Sequence, residues 1–413
     1  MPDSEHRPPA RLRLAIMAGS YDAHRDGISV YIENLLVALL RAARAEPARA
    51  IRIEVFGSPG ALGILASVVA TQTDGCQVQL RYRATRGAGL WSRVVGLSLL
   101  AWRRGPYDLV VLPNLQPLLM PGRKLSILHD LTYRVASSHF SRRRYWYMDL
   151  LTRLRLRADA AMGVISQTTR AHLRGYYPAS QRRGLLLLPN GLPHSKLGPR
   201  PARAQVEAGV SAPKLELVFC GRLNRLKGVD RLLDLAQALD REAAARGMLQ
   251  PTLHLVGKAT AESEALLRGW HFQHLTLHRH GYLDDDALNR CYQRSSFAVF
   301  LPRNEGFGLP LVEAMWMGAV PLVSDIPIFA EILGAAYPRF GGGRLAVAAM
   351  LDFMQRLREE PAYRRQILDQ IDDILQSHAD GYDRCARAVL EYASANESAE
   401  QAPGAFAAPR QSS

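Results

Sequence analysis

Two glutamates eight positions apart, Glu305 and Glu313, flank a glycine-punctuated turn and the start of a helix in the segment 304–315. Gly306 and Gly308 let the backbone take positive φ or come close to a ligand at little steric cost. Pro310 suits the first turn of a helix, where its missing N–H would be unpaired anyway. That helix points its free amides and positive dipole end at the loop, so the amides of Phe307, Gly308 and Leu309 can meet an anion. Glu305, in the loop, can hold sugar hydroxyls. Glu313, near the helix start, can accept hydrogen bonds from a ribose diol. Phosphate on one side and hydroxyls on the other describe a nucleotide-sugar. A helix N-terminus that merely favours acids would explain the glutamates, but it leaves the two glycines without a role.

Further constellations carry compatible chemistry. Gly221-Arg222 and Lys227-Gly228 lie where a strand ends and a helix begins, the edge at which open α/β sheets bind ligands. Arg222 offers a fork and Lys227 a point charge to a diphosphate; a solvated loop with ordinary basic residues is the plainer account. His129 follows an apolar strand. Alone it reads as a packed or capping residue, and beside the other motifs as the sugar-facing wall of a cleft. Asp130 either orients it or caps the next turn. Gly27 opens the first helix, where amides can approach a phosphate or an acceptor. Ser166 reads as a helix N-cap first and an acceptor-side group second, and His24 is a further acceptor-side candidate. No Asp-X-Asp motif ends a strand, and Asp284, Asp285 and Asp286 read as an N-cap cluster, so neither a metal nor a cofactor is expected.

These residues need elements to hold them. A chain of 413 residues is long for one core, and two domains are expected. Short apolar runs at 11–18, 51–56, 107–112, 124–128, 160–165 and 185–188 read as strands of a first α/β array. Residues 28–40 carry apolar side chains at helical spacing. A second array restarts with strands at 215–220, 252–256, 275–278, 298–301 and 319–324. The expected organisation is an N-terminal Rossmann-like, acceptor-binding domain over 1–195, a linker over 196–213 and a C-terminal Rossmann-like, nucleotide-sugar-binding domain over 214–375. A last helix at 376–395 is expected to pack back on the first domain. The tail 396–413, rich in Ala, Gln, Pro and Ser, is expected to be disordered.

The net charge of +14 is the compositional outlier, and arginine carries most of it. Residues 81–104 and 134–157 concentrate arginine and interleave Trp or Tyr, which suits an anionic membrane surface. Arginine scattered over solvated faces is the alternative. No apolar run approaches the ~20 residues that span a bilayer, and the N-terminus lacks an apolar signal core. The expected location is cytoplasmic, with peripheral attachment at the inner face of the plasma membrane as the membrane-binding form. Cys76, Cys220, Cys291 and Cys385 are scattered, without metal-ligand spacing, and read as free thiols. Nucleic acid is not expected as a partner, because the paired carboxylates would repel a phosphate backbone. The rival, a non-enzymatic basic nucleic-acid-binding protein, predicts steeply salt-dependent binding.

In this order, from about residue 11 to about 395, the motifs resemble the large retaining glycosyltransferase family 4, or group 1, which includes bacterial mannosyltransferases. The paired motifs around Gly221-Arg222, Lys227-Gly228, Glu305 and Glu313 carry the resemblance, with Gly27, His129-Asp130, Ser166 and the 189–191 turn in the expected order. It implies the GT-B fold: two Rossmann-like domains facing across a cleft. It implies that Arg222 and Lys227 bind the donor diphosphate, Glu313 the ribose and Glu305 the transferred sugar. His129 would contact the sugar from the opposite domain. The expected activity is metal-independent transfer, with retention, of a sugar from a nucleotide-diphosphate donor to a saccharide or lipid-linked saccharide in bacterial polysaccharide or lipopolysaccharide synthesis. Mannose from GDP-mannose comes first; a UDP- or dTDP-sugar donor is the alternative. The segment 325–335 departs from the wording of many relatives and is nearer to mannosyltransferase-like members.

Overall fold

The computed structural model describes residues 11–21, 25–45, 50–70, 79–84, 95–116, 122–182, 184–246 and 251–395. The N-terminal strands are β1 (Arg11–Met17), β2 (Ala50–Gly57), β3 (Gln79–Ala84), β4 (Leu109–Leu112), β5 (Lys124–Leu128), β6 (Ala161–Val164) and β7 (Leu185–Leu187). Among the described residues they form one seven-stranded parallel sheet in the order β3-β2-β1-β4-β5-β6-β7. The C-terminal strands are β8 (Glu216–Cys220), β9 (Thr252–Val256), β10 (Thr276–Gly281), β11 (Phe297–Phe300) and β12 (Val320–Val323). They form a five-stranded parallel sheet in the order β10-β9-β8-β11-β12. The central strands are largely apolar because helices cover both faces: every residue of β4, β5 and β11 is buried, Lys124 and Ser126 included. Pro321 falls in β12, an outermost strand, where a missing N–H leaves no ladder bond unmade.

Each sheet changes direction once, between β1 and β4 and between β8 and β11. Ligands of such sheets bind beyond the carboxyl ends of the strands at that switch point. The loops carrying Gly221–Gly228 and 301–308 leave β8 and β11, the two strands that flank it.

The chain crosses between the domains twice. The helix Pro361–His378 packs on the C-terminal domain, and the helix Gly381–Ser394 lies along the helix Gly27–Ala45 of the N-terminal domain. There the Tyr31 hydroxyl meets Cys385 Sγ at 3.2 Å, and Arg41 pairs with Asp383 at 3.1 Å. The crossings touch backbone to backbone. A Cβ on Gly191 would lie 2.8 Å from the Tyr382 nitrogen, and one on Gly381 would lie 2.4 Å from the Asn190 carbonyl oxygen.

Two elements go beyond the sequence expectations. The stretch 196–213, expected as a linker, contains the helix Arg203–Ser211, with Val210 buried and Arg203 bonded to Asp369 and Asp372. Its Ala- and Arg-rich composition hid a helix whose stability comes from tertiary contacts. Strand β3 lies at the start of an arginine-rich stretch. Its alternation of Leu80 and Tyr82 with Arg81 and Arg83 is that of an edge strand, and Arg83 faces Glu54 on β2 at 3.4 Å. The tail 396–413 lies outside the described residues.

Candidate functional site

Strand β8 ends at Cys220, and Gly221 turns the chain with φ of 143°. The Asn224 side chain accepts the Lys227 amide at 2.9 Å and caps the turn Arg225–Lys227. Gly228 closes it at φ of 80°, where a Cβ would lie 1.9 Å from the Leu301 carbonyl oxygen. Only glycine lets the loop after β8 press on the loop after β11 so closely. Arg303 fastens the two: its amide donates to the Leu226 carbonyl at 2.9 Å and its guanidinium binds Asp230. Across this junction the Lys227 ammonium pairs with the Glu305 carboxylate. Arg222 is exposed and has no side-chain partner among the described residues.

Gly308, at φ of 93°, is the N-cap of the helix Leu309–Trp316. Among the described residues the amides of Phe307, Gly308 and Leu309 have no protein acceptor, as expected of a helix start that receives an anion. Phe307 is buried edge-on to His378. Glu313, one turn further, is 3% exposed, and Lys196 meets it at 3.2 Å. Burial opposes the Lys196 charge, but Glu313 and Asp285 outweigh it and hold the pKa above the ordinary lysine value.

The N-terminal domain supplies the facing wall. Gly27 begins the helix Gly27–Ala45, which Asp26 caps by accepting the Ser29 amide at 2.9 Å. A Cβ on Gly27 would lie 3.9 Å from Leu309 Cδ1, so two helix starts face one another. His129 follows β5. Its Nε2 lies 2.6 Å from the Pro113 carbonyl, which fixes a proton on that nitrogen and leaves Nδ1 as an acceptor. Burial lowers the His129 pKa against partial opposition from the Pro113 carbonyl, Asp130 and Asp26. The ring stands edge-on to Tyr31, 4.9 Å between centroids. A Cβ on Gly306 would lie 2.6 Å from the His129 carbonyl oxygen, so the glutamate loop rests on the histidine strand end.

Other sequence candidates take structural places. The Asp130 carboxylate accepts the Thr132 amide at 2.8 Å. Ser166 is the buried N-cap of the helix Gln167–Tyr176 and donates to the Gly306 carbonyl at 3.3 Å, joining the domains. Asp284 caps the helix Asp285–Arg294, accepting the Ala287 amide at 2.8 Å. His24 lies outside the described residues.

Residues not singled out from sequence complete the junction. Arg25, the described non-glycine residue with positive φ (50°), bonds Glu33 of its own domain and Asp285 of the other. Strain of that kind persists where surrounding contacts over-determine the backbone. Ser195 Oγ donates to Glu33 at 2.9 Å, and Lys196 lies 3.9 Å from Asp285. One signal did point to Lys196: the chain has 47 arginines and five lysines. At 196 and 227 the rarer cation places a compact point charge beside a glutamate.

This arrangement can receive a diphosphate on free amides beside Arg222 and Lys227, and hydroxyls on His129 Nδ1.

Known proteins share this fold. The family model described as Glycosyl transferases group 1 matches residues 204–367. The chain is 32% identical over 134 residues, 30% of its length, to a GDP-mannose:cellobiosyl-diphosphopolyprenol alpha-mannosyltransferase of Xanthomonas campestris. Matched segments span between 10% and 39% of the length of the curated relatives. Among solved structures, sucrose-phosphate synthase of Thermosynechococcus elongatus superposes with a TM-score of 0.66 at 17% identity, over 94% of this chain and 100% of that one. HepE of Anabaena in complex with UDP-glucose gives 0.61 at 15% identity, over 92% and 100%. The chain therefore has the GT-B fold, and its residues 204–367 match the family of glycosyl transferases group 1.

Proposed function

We propose that this protein is a retaining glycosyltransferase that moves a sugar from a nucleotide-diphosphate donor to a saccharide acceptor without a metal. The observation that carries the reading is the meeting of the Gly221–Gly228 and 301–308 loops at the β8/β11 switch point, with free amides, Arg222 and Lys227 on one side and His129 on the other. In the reaction the bond from the sugar's anomeric carbon to the leaving phosphate oxygen breaks. The bond to the acceptor oxygen forms on the same face, and the acceptor proton passes to the leaving phosphate. Arg222, Lys227 and the helix amides neutralise that diphosphate, the role a metal takes elsewhere. Glu305 holds the sugar and Glu313 the ribose.

The similarity to a GDP-mannose-dependent relative supports mannose from GDP-mannose as the donor group. HepE is seen with UDP-glucose, which makes a UDP-sugar the second reading. The relative's diphosphopolyprenol acceptor supports a lipid-linked saccharide in polysaccharide or lipopolysaccharide synthesis. So does the surface: the helix Arg142–Ala158 exposes Trp146, Tyr147, Leu150 and Leu154 beside exposed Arg142, Arg143 and Arg144. No helix of the described residues is long and apolar enough to cross a membrane, and this helix suits the surface of an anionic one.

A thermal-shift panel tests the reading: GDP-mannose, UDP-glucose, UDP-N-acetylglucosamine and dTDP-rhamnose, with and without EDTA, each against its own ligand-free baseline. GDP-mannose is expected to raise the Tm of the wild type in EDTA and to fail on Arg222→Ala. A donor shift that EDTA abolishes would overturn the metal-free site.

A further inference from the structure

Away from the cleft, three electron-pair donors from separate elements converge in the C-terminal domain: His254 on β9, His280 on β10 and Cys291 on the helix Asp285–Arg294. Their donor atoms all lie within 4.8 Å of one another. His254 Nδ1 and His280 Nε2 are 2.9 Å apart. His254 and Cys291 are buried, and the ring of His278 stacks on that of His254.

Behind His254, its Nε2 faces Glu216 Oε2 on β8 at 3.4 Å, and both atoms are buried without a hydrogen bond among the described residues. A carboxylate at that distance favours the Nε2–H tautomer by its charge, which leaves the Nδ1 lone pair for the other two donors, the kind of support that metal-bound histidines have. All three donors surround one cationic nitrogen. Arg294 Nη2 lies 3.2 Å from His254 Nδ1, 3.5 Å from His280 Nε2 and 3.6 Å from Cys291 Sγ. The cluster therefore already focuses on a positive charge, at a point where the neighbouring strands β9 and β10 meet the helix that follows them.

We infer that His254, His280 and Cys291 form a binding site for a divalent transition-metal ion of the zinc class, with Glu216 as a positioning residue and Arg294 as the side chain the ion displaces. Two imidazoles and a thiolate suit such an ion, with water in the fourth position. Ligands of a four-coordinate ion lie about 3.3–3.7 Å apart, so the present spread of up to 4.8 Å closes with roughly an ångström of side-chain movement. Binding sends the Cys291 thiol proton to solvent, and the Arg294 side chain, 47% exposed, swings into water. The ion ties β9 and β10 to the helix that covers them. It takes no part in the proposed transfer, and the site stands whether or not that reading does.

Titration of the EDTA-stripped, desalted full chain with Co2+ tests it. One equivalent is expected to bind with a thiolate-to-cobalt charge-transfer band and the visible bands of a four-coordinate ion, and Zn2+ is expected to bleach both. Arg294→Ala removes the competing cation and should tighten binding by about tenfold. Glu216→Gln should weaken it about 10- to 100-fold, and Cys291→Ser should abolish the charge-transfer band. His280→Ala, at a partly exposed edge position, provides a second ligand variant where Cys291→Ser fails to fold by circular dichroism. No cobalt spectrum from either wild type or Arg294→Ala overturns the proposal. So does a wild-type spectrum that persists in the folded ligand variants.

Discussion

At the residue scale the site is a set of charges that hold one another. Glu313 is buried and its counter-ion is Lys196, so Lys196→Ala leaves a carboxylate unpaired in low dielectric. The expected cost is about 3–5 kcal/mol, read from the urea midpoint, with most of it recovered when Glu313→Gln is added. A loss below about 1 kcal/mol would show that the pair is solvated after all. His129 is a neutral hydrogen-bond acceptor rather than a proton carrier, because burial lowers its pKa and Pro113 engages its N–H. Its loss in His129→Ala should lower kcat/KM by about tenfold, the worth of one hydrogen bond to a hydroxyl. For the wild type, donor affinity is expected to stay flat down to about pH 6.5 and to fall only below it. An inflection above pH 7 would contradict the neutral assignment.

At the scale of elements, glycines set how near one segment comes to another. Gly228→Ala places a Cβ on the Leu301 carbonyl at a backbone angle that side chains avoid. It should destabilise the C-terminal domain by about 1–3 kcal/mol. Gly306→Ala has φ in no forbidden region, and its Cβ meets the other domain at the His129 carbonyl. Its effect should therefore fall on closure: donor affinity drops while the melting temperature moves little. Equal losses in both would mean that the loop matters for folding instead. The arginine-rich stretch 134–157 also divides by element. Arg134 and Arg153 bind Asp149, and Arg155 binds Asp159, so these serve the fold. The exposed Trp146, Leu150 and Arg143 remain for a surface role. The triple change Trp146→Ser, Leu150→Ser and Arg143→Ser should abolish flotation with anionic liposomes without lowering Tm; retained flotation would remove this helix from the membrane reading.

At the scale of the whole molecule, two domains are joined by crossings with apposed glycines and by a polar junction built on Arg25, Glu33, Asp285 and Lys196. Several histidines lie in or near these packed regions. Burial is the leading cause of a lowered pKa at His129, His172, His194 and His378. The unfolded chain then binds more protons than the folded one just below the ordinary histidine pKa, so stability rises with pH there. This contribution is complete above about pH 6.5 and is lost as pH falls through the lower folded values. Tm is expected to decline on acidification from pH 7 to pH 5, before the carboxylates titrate. A Tm that is level over that range would show the rings to be solvated.

The order of strands and helices was legible in the chain because it rests on short-range patterns. Largely apolar runs mark strands buried on both faces, and β5 and β9 occupy the expected spans 124–128 and 252–256. The loops bearing Arg222, Lys227, Glu305 and Glu313 stood out because glycine and proline act on their own neighbours. What periodicity cannot encode is which distant segments meet. That Lys196 neutralises Glu313, that Gly306 rests on His129, that Arg25 bridges to Asp285 and that His254, His280 and Cys291 share a focus depend on strand order and on how the domains pack. The same limit explains the hidden helix Arg203–Ser211 and strand β3, whose stability comes from partners remote in the chain rather than from their own residues.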